Sequence, residues 1–242
     1  TMDVYSGGYL RGLLEDSIVM TNDMAVLLGM SSASSGNVQV IDFKPSTPVV
    51  TSFTMSGTLH DLEIDSSGTR AIVHSSTHVQ VYDLPATGTP SKLGGQLSTP
   101  GLGMLNLPHW NGSVNEFYTE NTVVISGERA IVIGGTSNQF SAVTSRIYTY
   151  DLGLNGTNPS LIQSYSTAPV STTMIFHDMS LTPSGGVAGI SSFHSKTFFV
   201  ELETGDVFSV ESGAGKMSPF CVHSIELSNT RSVNIGNGSD GT

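Results

Sequence analysis

Residues 60–84, HDLEIDSSGTRAIVHSSTHVQVYDL, decide the fold. Leu62 and Ile64 alternate with polar residues, Asp65-Ser66-Ser67-Gly68-Thr69 is a turn, and Ala71-Ile72-Val73 is an apolar run. Val79, Val81, Tyr82 and Leu84 carry a third segment of the same kind. Alternation with a period of two, interrupted by Gly, Ser and Asp, predicts short strands joined by tight turns.

The chain repeats this unit. Ala71-Ile72-Val73 has counterparts in Ala25-Val26-Leu27-Leu28, Ala130-Ile131-Val132-Ile133, Val187-Ala188-Gly189-Ile190 and Ser232-Val233-Asn234-Ile235. The third strand, VQVYDL at 79–84, matches VQVIDF at 38–43, RIYTYDL at 146–152 and TFFVEL at 197–202. Turns precede the apolar runs at 21–23, 126–128, 183–186 and 228–230, and fourth strands are clearest at Pro48 to Met55 and Ser160 to Ser166. Four antiparallel strands recurring at this spacing predict an all-β chain, a β-propeller whose blades must pack face to face because one blade cannot bury its own faces.

The predicted blades span residues 15–59, 60–98, 121–170 and 171–217, with a loop insertion at 99–120. A fifth blade is split: residues 218–242 supply two strands, Val222 to Leu227 and Arg231 to Ile235, and residues 1–14 supply the other two. Joining the termini in one blade closes a five-bladed ring; the alternative is a section of a longer propeller. The second hairpin of blade one, Ser31 to Asn37, reads as a mobile Ser/Gly-rich loop, and Thr136 to Ser145 as an extended hairpin tip.

The unit beginning His60-Asp61 and ending Val79-Gln80-Val81-Tyr82-Asp83-Leu84-Pro85, with Thr89-Pro90, resembles the LVIVD-type and YVTN-type propeller repeats. Val38-Gln39-Val40-Ile41-Asp42-Phe43, with Pro45 and Pro48, fits the same pattern, whereas 99–120 departs from it and Glu201 replaces the repeat's Asp in the fourth blade. The resemblance implies a secreted or surface-associated propeller. It implies no activity, because those families share a scaffold and not a chemistry.

Composition narrows the function. A net charge of −11 argues against nucleic acid, which is bound by basic surface. Hydrophobic residues fall in short runs, so no membrane-spanning segment is expected. Only 12% of residues are charged, while Ser, Thr and Gly abound, a surface that fits an extracellular, cell-surface or periplasmic setting. Cys221 is the single cysteine and cannot form an intrachain disulfide. The sequons at Asn111, Asn155 and Asn237 are of a kind that arises by chance in such a chain. Gly213-Ala214-Gly215-Lys216 lacks the spacing and the Ser/Thr of a phosphate loop.

Aligning the first strands gives the main chemical candidate. His60 precedes Leu62 and Ile64, His177 precedes Met179 and Leu181, and His223 precedes Ile225 and Leu227. Asp16 and Asn121 take the same place in the remaining units. First strands line a propeller's channel, so these five residues form a candidate axial ring. Two readings fit it: a divalent transition metal held by imidazole and carboxylate, as in a metal-dependent hydrolase or lyase, or polar groups bridged by water. His74 and His78, four apart on a hairpin, read as exposed. His109 and Trp110 in the insertion form a weaker candidate ligand-binding loop. The leading expectation is a monomeric scaffold that binds a protein or small-molecule ligand.

Overall fold

The computed structural model describes residues 18–21, 23–32, 35–57, 59–86, 88–99, 109–110, 115–116, 122–137, 143–153, 157–167, 176–192, 196–211, 224–229 and 231–235. The chain divides into two compact units, Thr1–Pro100 with Leu152–Pro159, and Gly101–Asp151 with Ser160–Thr242. All regular structure among the described residues is β-strand.

The first unit holds two four-stranded antiparallel sheets. One orders β1 (Ile18–Met20), β2 (Met24–Ser32), β3 (Ser35–Asp42) and β4 (Val49–Ser56), the other β5 (Leu59–Ile64), β6 (Arg70–Ser75), β7 (His78–Asp83) and β8 (Ser91–Ser98), each in chain order. Alternation decides what they bury. Met24, Val26 and Leu28 point to one side of β2, opposite Val40 and Val38 of β3, and meet Leu62, Ala71, Val73 and Tyr82 of the second sheet in a shared core. Phe53 tilts onto Tyr82 with ring centres 5.1 Å apart. Full burial of each large aliphatic side chain contributes about 1.5–3 kcal/mol. The fourth strands are mostly exposed, as outer edges must be.

Turn chemistry sets where each first strand ends. Asp65 Oδ1 accepts the Thr69 and Arg70 amides at 2.7 and 2.8 Å, and Gly68 takes the left-handed φ of +70° that the turn requires. Thr21 Oγ1 does the same work in the first sheet, accepting the Met24 amide at 3.0 Å.

Within the expected mobile loop at 31–37, the described residues on either side of the tip extend the hairpin instead: Ser32 pairs with Ser35, Met30 with Gly36 and Gly29 with Asn37. The physical reason is Gly36, where a Cβ would run into the Leu59 side chain. The backbone is packed against the neighbouring sheet rather than loose in solvent.

The second unit repeats the plan. A two-residue-long pair, β9 (His109–Trp110) and β10 (Asn115–Glu116), lies in the 99–120 insertion. Then come a sheet of β11 (Val123–Ser126), β12 (Arg129–Ser137), β13 (Val143–Asp151) and β14 (Ser160–Ser166) and a sheet of β15 (Phe176–Leu181), β16 (Val187–Ser192), β17 (Lys196–Glu201) and β18 (Val207–Glu211). They share a core of Ile131, Ile133 and Ile147 against Phe176, Ile190, Phe198 and Val200. Much of the predicted hairpin tip at 136–145 is strand, with Thr136 paired to Thr144 and Ser137 to Val143. Finally β19 (Ser224–Leu227) pairs with β20 (Ser232–Ile235) and lies beside β15 and β16. The predicted closing strands in 1–14 lie outside the described residues.

Candidate functional site

The site is built on irregularities in two first strands. In β5, Leu59 pairs with Ser75 and Asp61 with His74, which leaves His60 as one extra residue, a β-bulge. In β15 the register slips by one residue between Phe176 and Met179, and His177-Asp178 occupies that slip. Aligning Leu62 with Met179 makes His60-Asp61 the counterpart of His177-Asp178. The two aspartates behave alike: Asp61 Oδ1 accepts the Leu62 amide and Asp178 Oδ1 accepts the Met179 amide, both at 2.8 Å. A bulge frees an amide from the strand ladder, and a carboxylate one residue earlier is placed to accept it.

The partner strands differ. Opposite Asp178 stands Ser191, whose Oγ accepts the Asp178 amide at 3.2 Å and donates to the Asp178 carbonyl at 3.4 Å. The corresponding residue in β6 is His74, 2% exposed, with its ring centre 5.2 Å from that of His60 and the planes tilted by 58°. Neither ring nitrogen of His74 has a hydrogen-bond partner among the described residues, and the ring nitrogens of His60 are shielded from solvent. Burial, reinforced by the neighbouring His60, holds His74 well below the usual histidine range, so it is neutral. The reading of His74 as exposed is therefore corrected. Its face of β6 also carries the buried Ile72, and β7 places Val79 opposite it. His78 is half-buried, 2.8 Å from Thr77 Oγ1 through its Nδ1.

Of the axial ring, Asp16, Asn121 and His223 lie outside the described residues, as does the side chain of His177. The backbone of His177 lies on a first strand, as expected. The described residues contain no group of three or more His, Cys, Asp or Glu side chains placed to hold one metal ion. The side chains of His109 and Trp110 are also outside the described set.

A second feature recurs in both units. Between the two sheets of the first unit lies a crevice of about 420 Å³, lined by Thr21, Asp23, Lys44, Ser67 and Thr69 among others. Lys44 Nζ closes one wall by donating to the Pro85 and Ala86 carbonyls at 3.0 and 2.8 Å. The second unit places a crevice of about 380 Å³ at the corresponding turns of its own two sheets, lined by Ser126, Glu128, Arg129, Gly186 and Glu203 among others. Arg129 bonds Asp151 at 2.9 Å on its own sheet and Glu203 at 3.0 Å on the next. Asp42, Asp83 and Asp151, the repeat's third-strand aspartates, all brace these ends. Asp83 pairs with Arg70, while Asp42 accepts the Lys44 amide at 2.9 Å.

No protein-family model and no curated protein matches the sequence. Among solved structures the chain is similar to Hsv2 of Kluyveromyces lactis, with a TM-score of 0.52 at 9% identity over 87% of this chain and 53% of that one. It is similar to a 6-phosphogluconolactonase-like protein from Bacteroides fragilis, with a TM-score of 0.51 at 10% identity over 86% of this chain and 57% of that one. The chain thus spans just over half the length of each. These neighbours are β-propellers, and at such identities the likeness shows the fold alone: the four-stranded sheets described above are propeller blades.

Proposed function

We propose that this chain is a propeller scaffold that binds a protein or peptide partner in the crevices between its blades. The observation that supports this most is the recurrence of the crevice in each unit, at equivalent turns and with polar, open walls. Hydroxyls, carboxylates and a tethered lysine line the first, and a glycine-lined turn beside Arg129 forms the second. Loops carried on a rigid sheet scaffold are the usual place for recognition. A displayed-peptide selection against the full chain tests this. Enriched peptides should bind at least tenfold more weakly to Ser67→Arg or Gly186→Arg proteins. Peptides indifferent to both substitutions, or no enrichment, would refute the crevice reading.

The ring is read as five-bladed, with β19 and β20 as the inner half of a blade completed by residues 1–14. Support comes from exposed apolar side chains: Ile18 and Met20 at 48% and 63% exposure in the first unit, and Phe208 and Val210 at 53% each in the second. Such patches call for covering strands. Deleting residues 1–14 should lower the melting temperature by several degrees if they complete a blade. An unchanged melting temperature would favour a section of a longer propeller.

A further inference from the structure

The place of His74 is held by buried aliphatic residues in two sibling sheets, Leu28 on β2 and Ile133 on β12, so its ring fills a core position, but one that offers its nitrogens no hydrogen-bond partner among the described residues. The equivalent place on β16 shows what a polar structural solution looks like: Ser191 hydrogen-bonds the bulged backbone on both sides. On β6 the same place holds a buried imidazole whose two nitrogens bond nothing among the described residues. A neutral imidazole carries one donor and one acceptor, and enclosing both without partners is destabilising. The bulge at His60 brings a second imidazole alongside it.

The spacing has a chemical meaning. Zinc holds imidazole nitrogens at about 2.0–2.1 Å in tetrahedral geometry, and with each ring centre roughly 1.1 Å behind its nitrogen, two imidazoles on one ion have centres about 5.2 Å apart. The observed separation is 5.2 Å.

We infer that His60 and His74 form a two-histidine site for a divalent transition metal of the zinc type, contained within one blade and sharing only His60 with the candidate axial ring. The two imidazoles supply two ligand positions, and water or an incoming ligand completes the coordination. His60 is half-buried as a residue, while its ring nitrogens, like those of His74, are shielded from solvent. Asp61, opposite His74 in the register, already accepts the Leu62 amide through Oδ1 and is placed to hold the bulge in shape rather than to ligate. Neutral imidazole is the form that binds such metals, and His74 is held neutral by its surroundings.

The test titrates the full chain with Zn²⁺ by calorimetry and with Co²⁺ by visible absorption, which reports tetrahedral coordination directly. One ion per chain is expected, with binding at least tenfold weaker in both His74→Phe and His60→Gln proteins. Histidine-selective ¹⁵N labelling of the unaltered chain gives a readout independent of any variant's folding. Zn²⁺ should shift one ring nitrogen of each of the two residues. The inference is overturned by an absence of binding, by binding that neither substitution weakens, or by unmoved His60 and His74 nitrogens. It is equally overturned if His177→Ala abolishes binding while His74→Phe leaves it intact, which would place the ion on the axial ring.

Discussion

The bulged first strands β5 and β15 share a backbone solution and differ in what stands across from it. Both carry His-Asp at the slip in register, and in both the aspartate accepts the next amide at 2.8 Å. Across from the slip, the second unit places Ser191, a short hydroxyl that reaches the bulged backbone. The first unit places His74, which fills the space with carbon but leaves its nitrogens enclosed. The bulge is thus shared by these two blades, and the imidazole pair belongs to one of them. A feature that a sibling blade replaces with a hydrogen-bonded serine is not required by the architecture.

The largest effect should come from the packing that the two strands share. Leu62→Ala and Met179→Ala remove buried side chains at equivalent positions, and each should lose about 2–5 kcal/mol of stability in denaturant titrations. Similar losses would confirm that the strands play the same packing role; a loss confined to one would break the equivalence. Next come the aspartates. Asp61→Ala and Asp178→Ala leave a buried amide without its acceptor and should each cost about 1–3 kcal/mol, measured in the same way.

The third prediction targets the difference itself. His74 is neutral in the fold and has its ordinary pKa once unfolded, so the unfolded chain binds the extra proton first. Its contribution is therefore complete above the unfolded value of about 6.5 and is lost as pH falls below it, by up to about 1.4 kcal/mol per pH unit. Denaturant midpoints at pH 7.5 and 5.5 should diverge for the unaltered chain. They should diverge less for His74→Ser, which copies the second unit's residue into the first. An unchanged pH slope would show that His74 is not enclosed as described.

The smallest effect separates the two arginines at the second strands. Arg70 pairs with Asp83 within one sheet, while Arg129 joins Asp151 and Glu203 on two sheets. Glu203 is well exposed, so its arm is screened by solvent. Arg70→Ala should cost roughly 0.5–1 kcal/mol and Arg129→Ala only slightly more, both shrinking in 0.5 M salt (about 4 Å screening length). Equal, salt-independent losses would mean that the side-chain stems, not the charges, matter.

The sequence by itself determined the strands, their turns and their grouping in fours. Alternation, Gly68, Asp65 and Thr21 act over a few neighbouring residues, and local chemistry of that kind is written in local order. It also singled out His60 and His177, because first-strand positions can be aligned by counting. Counting failed at Ser31–Asn37, where composition suggested a loose loop: what holds that hairpin is Gly36 lying against Leu59 of another sheet, a contact absent from any single segment. It failed again at His74. Next to Ser75-Ser76-Thr77-His78 that histidine looks like part of an exposed turn. Only the tertiary structure buries its face of β6, and only the one-residue slip in β5 swings His60 beside it. A bulge changes which side chains meet without changing which residues alternate, so the imidazole pair exists in the paired strands and in neither strand alone.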